Sequence, residues 1–154
     1  MRLLALDLGA APAICVVDGT WREPVLLHSE RFGRFDMIAL TQRMADLMTQ
    51  FGVRDVYCER TFTEVRRKKL YLANVGRKQA EQYGALVYWA HTVGAEMHQV
   101  EPVKSGEAYA AWYAFGSPPE GKCAAGEHLR DACGVALRAL MQRDEKPMMA
   151  RMKR

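Results

Sequence analysis

No apolar run in this chain of 154 residues approaches the ~20 residues that a membrane-spanning helix needs. The nearest candidate, Leu3 to Val17, follows Met1-Arg2 in the manner of a signal peptide. Asp7 interrupts it and Pro12 breaks it, and strand alternation accounts for it better. Internal repeats and low-complexity linkers are also lacking, so one domain is expected over residues 1–143, followed by a basic, frayed tail at 144–154. Cysteine is sparse: Cys15, Cys58, Cys123 and Cys133 form no C-x-x-C pair and no zinc-like spacing with the four histidines. That excludes the common zinc modules. Three of the four lie among apolar neighbours, as expected of reduced, packed thiols in a cytoplasmic protein. Large net charge is missing too: 22 basic against 18 acidic residues leave +4, so the placement of charge matters more than its sum.

What is present is an ordinary globular composition, 49% apolar and 26% charged. Residues 2–8, 12–18 and 24–32 read as three strands in a meander, with Asp18-Gly19 as a hairpin signal. Met37, Leu40, Met44, Leu47, Met48 and Phe51 then recur at helical spacing until Gly52 stops the helix. A fourth strand over 53–59, a basic irregular stretch at 60–70 and a helix over 71–93 follow. A short strand at 95–100, a helix over 104–115, a Gly/Pro loop and a last helix over 125–143 complete the order βββ-α-β-α-β-α-α.

Three acidic positions stand out in this frame. Asp7 interrupts the apolar first strand, Glu59 ends the fourth, and Asp131 lies on the last helix. A carboxylate in a buried strand is costly unless it is paired or binds metal. Crowded carboxylates raise one another's pKa unless a cation compensates. Mg²⁺ takes hard oxygen ligands and keeps several waters, so a few carboxylates suffice to hold it. Two such ions roughly 4 Å apart suit phosphodiester cleavage. Arg60, the run Arg66-Arg67-Lys68-Lys69, and Arg77 and Lys78 follow Glu59 closely; charge runs are usually solvated faces, but this one lies where phosphates would arrive.

These residues together resemble the RuvC family of Holliday-junction resolvases. Asp7-Leu8-Gly9 matches its Asp-x-Gly strand, and Glu59-Arg60-Thr61-Phe62 its Glu-x-x-Phe motif. His128-Leu129-Arg130-Asp131 matches its acidic-or-His residue three before an Asp, with a small apolar stretch from Ala132 to Leu137 behind it. Val75-Gly76-Arg77 and Val103-Lys104 fall in family order between them. The resemblance covers about residues 1–143. It implies an RNase H-like α/β fold, a five-stranded mixed sheet flanked by helices, with the first and fourth strands adjacent at its centre.

It further implies a metal-dependent endonuclease that cuts four-way junctions as a homodimer. Asp7, Glu59, His128 and Asp131 would hold Mg²⁺, with Mn²⁺ as a substitute. Arg60, Phe62, Arg66, Arg67, Lys68, Lys69, Arg77, Lys78 and Lys104 would contact DNA, Phe62 by stacking on opened bases. The chain departs from the pattern in two places. Many members carry Asp where His128 stands, and the turn after Gly9 lacks the usual polar residues. At about 100° per residue, Glu127 lies about 40° from Asp131 and His128 about 60°, so both are candidates for the fourth ligand. An RNase H-like RNA-processing nuclease and a non-catalytic junction binder remain as alternatives. A sugar-kinase or actin-like fold, which also begins with Asp-x-Gly, needs a longer chain.

Overall fold

The computed structural model describes residues 2–60, 70–117 and 127–152. Five strands, β1 (Leu3–Asp7), β2 (Ala13–Gly19), β3 (Pro24–Arg31), β4 (Asp55–Glu59) and β5 (Glu96–Val100), form one sheet in the order β3-β2-β1-β4-β5. The first three make the expected antiparallel meander, while β1–β4 and β4–β5 are parallel pairs. Four helices complete the chain: α1 (Met37–Phe51), α2 (Leu70–Val93), α3 (Ser105–Ala114) and α4 (Glu127–Met152). The RNase H-like arrangement expected from the sequence is thus the one observed.

Because successive strand residues face opposite sides, each sheet face collects its own core. Leu4, Leu6, Ile14, Val16, Val56 and Cys58 pack with Leu40, Met44 and Leu47 of α1 and Leu86 of α2. Leu3, Ala5, Cys15, Val17 and Tyr57 pack on the other face against Ala111 of α3 and Leu129, Ala132, Cys133, Ala136 and Ala139 of α4. The small residues of α4 let it lie close to the sheet. Cys15 and Cys133 touch there, sulfur to sulfur at 3.6 Å, and both are buried, as is Cys58. The Met-rich helix α1 is core, begun by the Asp36 cap on Ala39 and ended by Gly52 at φ 65°.

The last helix runs further than the expected 125–143: α4 continues to Met152. No helix among the described residues is long and apolar enough to cross a membrane.

Candidate metal centre

Asp7 and Glu59 are the last residues of two neighbouring parallel strands. The register Leu4↔Val56, Ala5↔Tyr57, Leu6↔Cys58 carries on to set them side by side. Alternation decides which way they face. Ala5 and Tyr57, two residues back on each strand, point to the α4 face, so Asp7 and Glu59 do as well. From α4, His128 and Asp131, one turn apart, come down onto the same sheet end.

The convergence is close. His128 Nδ1 and Asp7 Oδ2 are 2.7 Å apart, and ligand atoms of Asp7, His128 and Asp131 all lie within 4.8 Å of one another. Asp7 is only 8% exposed. Glu59 stands beside this trio rather than within that spacing. It feels the charges of both Asp7 and Asp131, and the Val103 N–H donates to its carboxylate. Of the two candidates for the fourth ligand, His128 reaches the cluster; the side chain of Glu127 lies outside the described residues.

Electrostatics shows what the cluster lacks. Burial, reinforced by Asp7 and Asp131, pushes the Glu59 carboxyl up to about 7 against the pull of the Val103 amide. Burial also raises Asp7, more than its hydrogen bond and ion pair with His128 can offset. His128 is raised by its hydrogen bond to Asp7 and by the charges of Asp7 and Asp131; burial and Arg31 oppose this. Asp7 and Glu59 hold their protons chiefly because they are buried, and His128 because two carboxylates face it. Two carboxylates and an imidazole at this spacing, with a third carboxylate beside them, fit a hard divalent cation, and the nitrogen donor is compatible with Mn²⁺.

Several supporting residues were not singled out in the sequence. Gln79 donates to the Leu8 carbonyl at 2.9 Å and Gln82 to the Gly9 carbonyl at 3.3 Å, pinning the turn that follows Asp7. A Cβ on Gly9 would sit 3.9 Å from His128 Cε1, so this turn borders the imidazole directly. Arg31, opposite Ala13 in the β2–β3 register, keeps a buried guanidinium nitrogen without a hydrogen-bond partner among the described residues and acts on His128. A buried, unsatisfied donor near the cluster suits an anionic oxygen.

The basic positions divide. Arg60 is paired with Glu101 at 3.5 Å and Arg77 with Glu81 at 3.7 Å, both exposed. Lys78 and Lys104 are exposed; Lys104 caps α3, its backbone N–H donating to Glu107 at 2.9 Å. Phe62, Arg66, Arg67, Lys68 and Lys69 lie outside the described residues.

Fold and site together define an RNase H-like α/β domain with an acid–imidazole cluster at the C-terminal ends of its central parallel strands. The fold is that of RuvC and other Holliday-junction resolvases. The structure of Thermus thermophilus RuvC in complex with a Holliday junction substrate superposes with TM-score 0.68 at 19% identity, over 93% of this chain and 96% of that one. The fowlpox virus Holliday junction resolvase gives 0.53 at 12% identity over 92% and 99% of the two chains. The yeast mitochondrial resolvase gives 0.50 at 12% identity over 90% and 76%. No protein-family model and no curated protein sequence matches the chain.

Proposed function

We propose that this chain is a divalent-metal-dependent endonuclease that resolves four-way DNA junctions. The observation that carries the reading is the convergence of Asp7, His128 and Asp131 within 4.8 Å, with Glu59 coupled to them by charge. It is supported by a fold shared with a RuvC bound to a Holliday junction. Asp7, Glu59, His128 and Asp131 would hold Mg²⁺ or Mn²⁺, which supplies Lewis-acid stabilisation of a phosphoryl group and an activated water when bound. The chain's own residues do the rest. Asp7 orients the His128 ring, the Val103 amide fixes Glu59, and the Gln79 and Gln82 amides hold the turn beside the cluster. Arg31 offers its unsatisfied donor to a phosphate oxygen. Arg60, Arg77, Lys78, Lys104 and the run from Arg66 to Lys69 would guide the DNA backbone.

The same proposal includes a homodimer working in the cytoplasm. Two nicks at symmetry-related points need two equivalent sites. Helix α2 supplies a candidate interface, with Tyr88 75% exposed and its chain neighbour Val87 exposed as well. The test is incubation of a synthetic four-way junction with the purified chain and Mg²⁺ or Mn²⁺. Paired nicks near the crossover are expected. Tight binding without any nick would make the chain a junction binder, and preference for structured RNA would make it an RNA-processing nuclease.

A further inference from the structure

A cavity of about 300 Å³ opens directly beside the acidic cluster, between the start of α3 and the first turns of α4. Val103, Ser105, Ala108, Tyr109, Arg130 and Asp131 line it. Two of these residues belong to the metal centre as well: Asp131 is one of its ligating groups, and Val103 fixes Glu59 through its amide. Cavity and cluster therefore share a wall, and whatever fills the one is a near neighbour of the phosphate at the other.

We infer that this cavity receives an unpaired nucleobase of the DNA strand whose phosphate lies at the acidic cluster, with Tyr109 as its stacking platform. The inference rests on the nuclease reading for the identity of the ligand. The lining suits a base better than a second phosphate. Val103 and Ala108 are apolar, Tyr109 offers a ring that is 43% exposed, and Asp131 would repel an anion. Arg130 lies over one face of the Tyr109 ring, its guanidinium carbon 4.2 Å from the centroid, so the base stacks on the other face, and the Ser105 hydroxyl supplies a donor for its acceptor edge. The volume lies at the small end of the range for small-molecule sites, as a single planar ring system requires. Its floor is rigid. A Cβ on Gly134 would come within 2.5 Å of Val103 Cγ1 and 3.2 Å of the Ala108 backbone, so α4 and α3 are already in full contact there. A base in the middle of a duplex could enter only by leaving its stack, at a cost of a few kcal/mol, and a branch point lowers that cost. Such a pocket thus selects for branched over continuous DNA.

The experiment is a mutant cycle with one partner in the protein and the other in the DNA. Affinity for a four-way junction is measured without added metal, so that the DNA stays intact, for wild type, Tyr109→Ala and Tyr109→Phe. Each protein is tested on the intact junction and on junctions bearing one abasic residue at successive positions around the crossover. Loss of a stacked base corresponds to roughly 5- to 150-fold in affinity. At one position the abasic residue should weaken wild type and Tyr109→Phe by that factor and leave Tyr109→Ala unaffected. Additive losses at every position, or a wild type indifferent to all abasic residues, overturn the inference. Cleavage of the intact junction with Mg²⁺ or Mn²⁺ is measured in parallel. Normal cutting with additive losses sinks the base pocket alone, and non-additive losses without any cutting sink the nuclease reading alone. Failure to bind any junction sinks both.

Discussion

Strand β4 carries a cluster of two carboxylates and an imidazole near each of its ends. At its C-terminal end Glu59 flanks Asp7, His128 and Asp131; at its N-terminal end Asp55 meets Glu96 and His98, whose ligand atoms also lie within 4.8 Å of one another. In the second cluster His98 Nε2 bonds Asp55 at 3.0 Å, lies 3.8 Å from Glu96, and stacks on Tyr57 at 4.6 Å. Its Glu96 side chain is 76% exposed and well solvated, whereas that of Asp7 is 11% exposed. The first cluster adds a fourth titratable group and a third carboxylate. Water and one imidazole can satisfy one exposed and one half-buried carboxylate; they cannot satisfy three crowded into the edge of a core. The two trios share their ligand types and fall within the same spacing, and burial and crowding set them apart.

Each prediction sets the two clusters against each other, and Asp7→Asn has the largest expected effect. It removes a ligand charge while keeping shape, and should lower single-turnover junction cleavage by about 10³-fold or more, since a metal contributes several kcal/mol to charge stabilisation. Junction affinity should hold or improve. Near wild-type cutting would remove Asp7 from the ligand set.

His128 comes next. Its replacement by Ala should cost on the order of 10²-fold in rate, while His128→Asp keeps activity with Mg²⁺ because a carboxylate can fill the same place. Mn²⁺ should serve the wild type at least as well as Mg²⁺. Glu127→Ala should be mild; if it proves the damaging change, the wrong residue has been assigned to the metal.

The pH response should separate the clusters more finely. Glu59 is about 4.5 when unfolded and about 7 in the metal-free fold, so its contribution to stability is full below about 4.5 and is lost as pH rises through about 7. Asp7 and His128, both raised, act in the same direction. After allowance for solvent screening, the Glu59 share is roughly 1–2 kcal/mol, or a few degrees in Tm. Metal-free protein should therefore melt lower at pH 8 than at pH 5.5, Glu59→Gln should flatten that fall, and Mg²⁺ should restore more at pH 8. A metal-free Tm that rises over this window would contradict the crowding argument.

The smallest effect belongs to the second cluster. His98→Ala should change cleavage less than about twofold and stability by about 1 kcal/mol, the order of a pair that water still reaches. A large loss of activity on this change would erase the distinction between the two ends of β4.

Much of this was legible in the sequence. The element order follows from period and punctuation, and Asp7 is conspicuous because a charge in an apolar strand needs a reason. The adjacency of β1 and β4 was not in the pattern; it came with the family resemblance, since alternation fixes a residue's face but not its neighbour. Arg31 was missed because its position depends on the β2–β3 register, with an irregularity between Val16 and Val17 that no local signal announces. Gln79 and Gln82 looked like ordinary polar residues of a long helix, and only tertiary packing brings them to Leu8 and Gly9. The cavity beside Asp131 likewise forms only where α3 and α4 come together.

Crystals of the protein grown with Mn²⁺ and measured at the manganese absorption edge test the central claim most directly. An anomalous peak among Asp7, Glu59, His128 and Asp131, with none at Asp55, Glu96 and His98, is the result this account predicts. A peak at the second cluster, or no peak at the first, would contradict it.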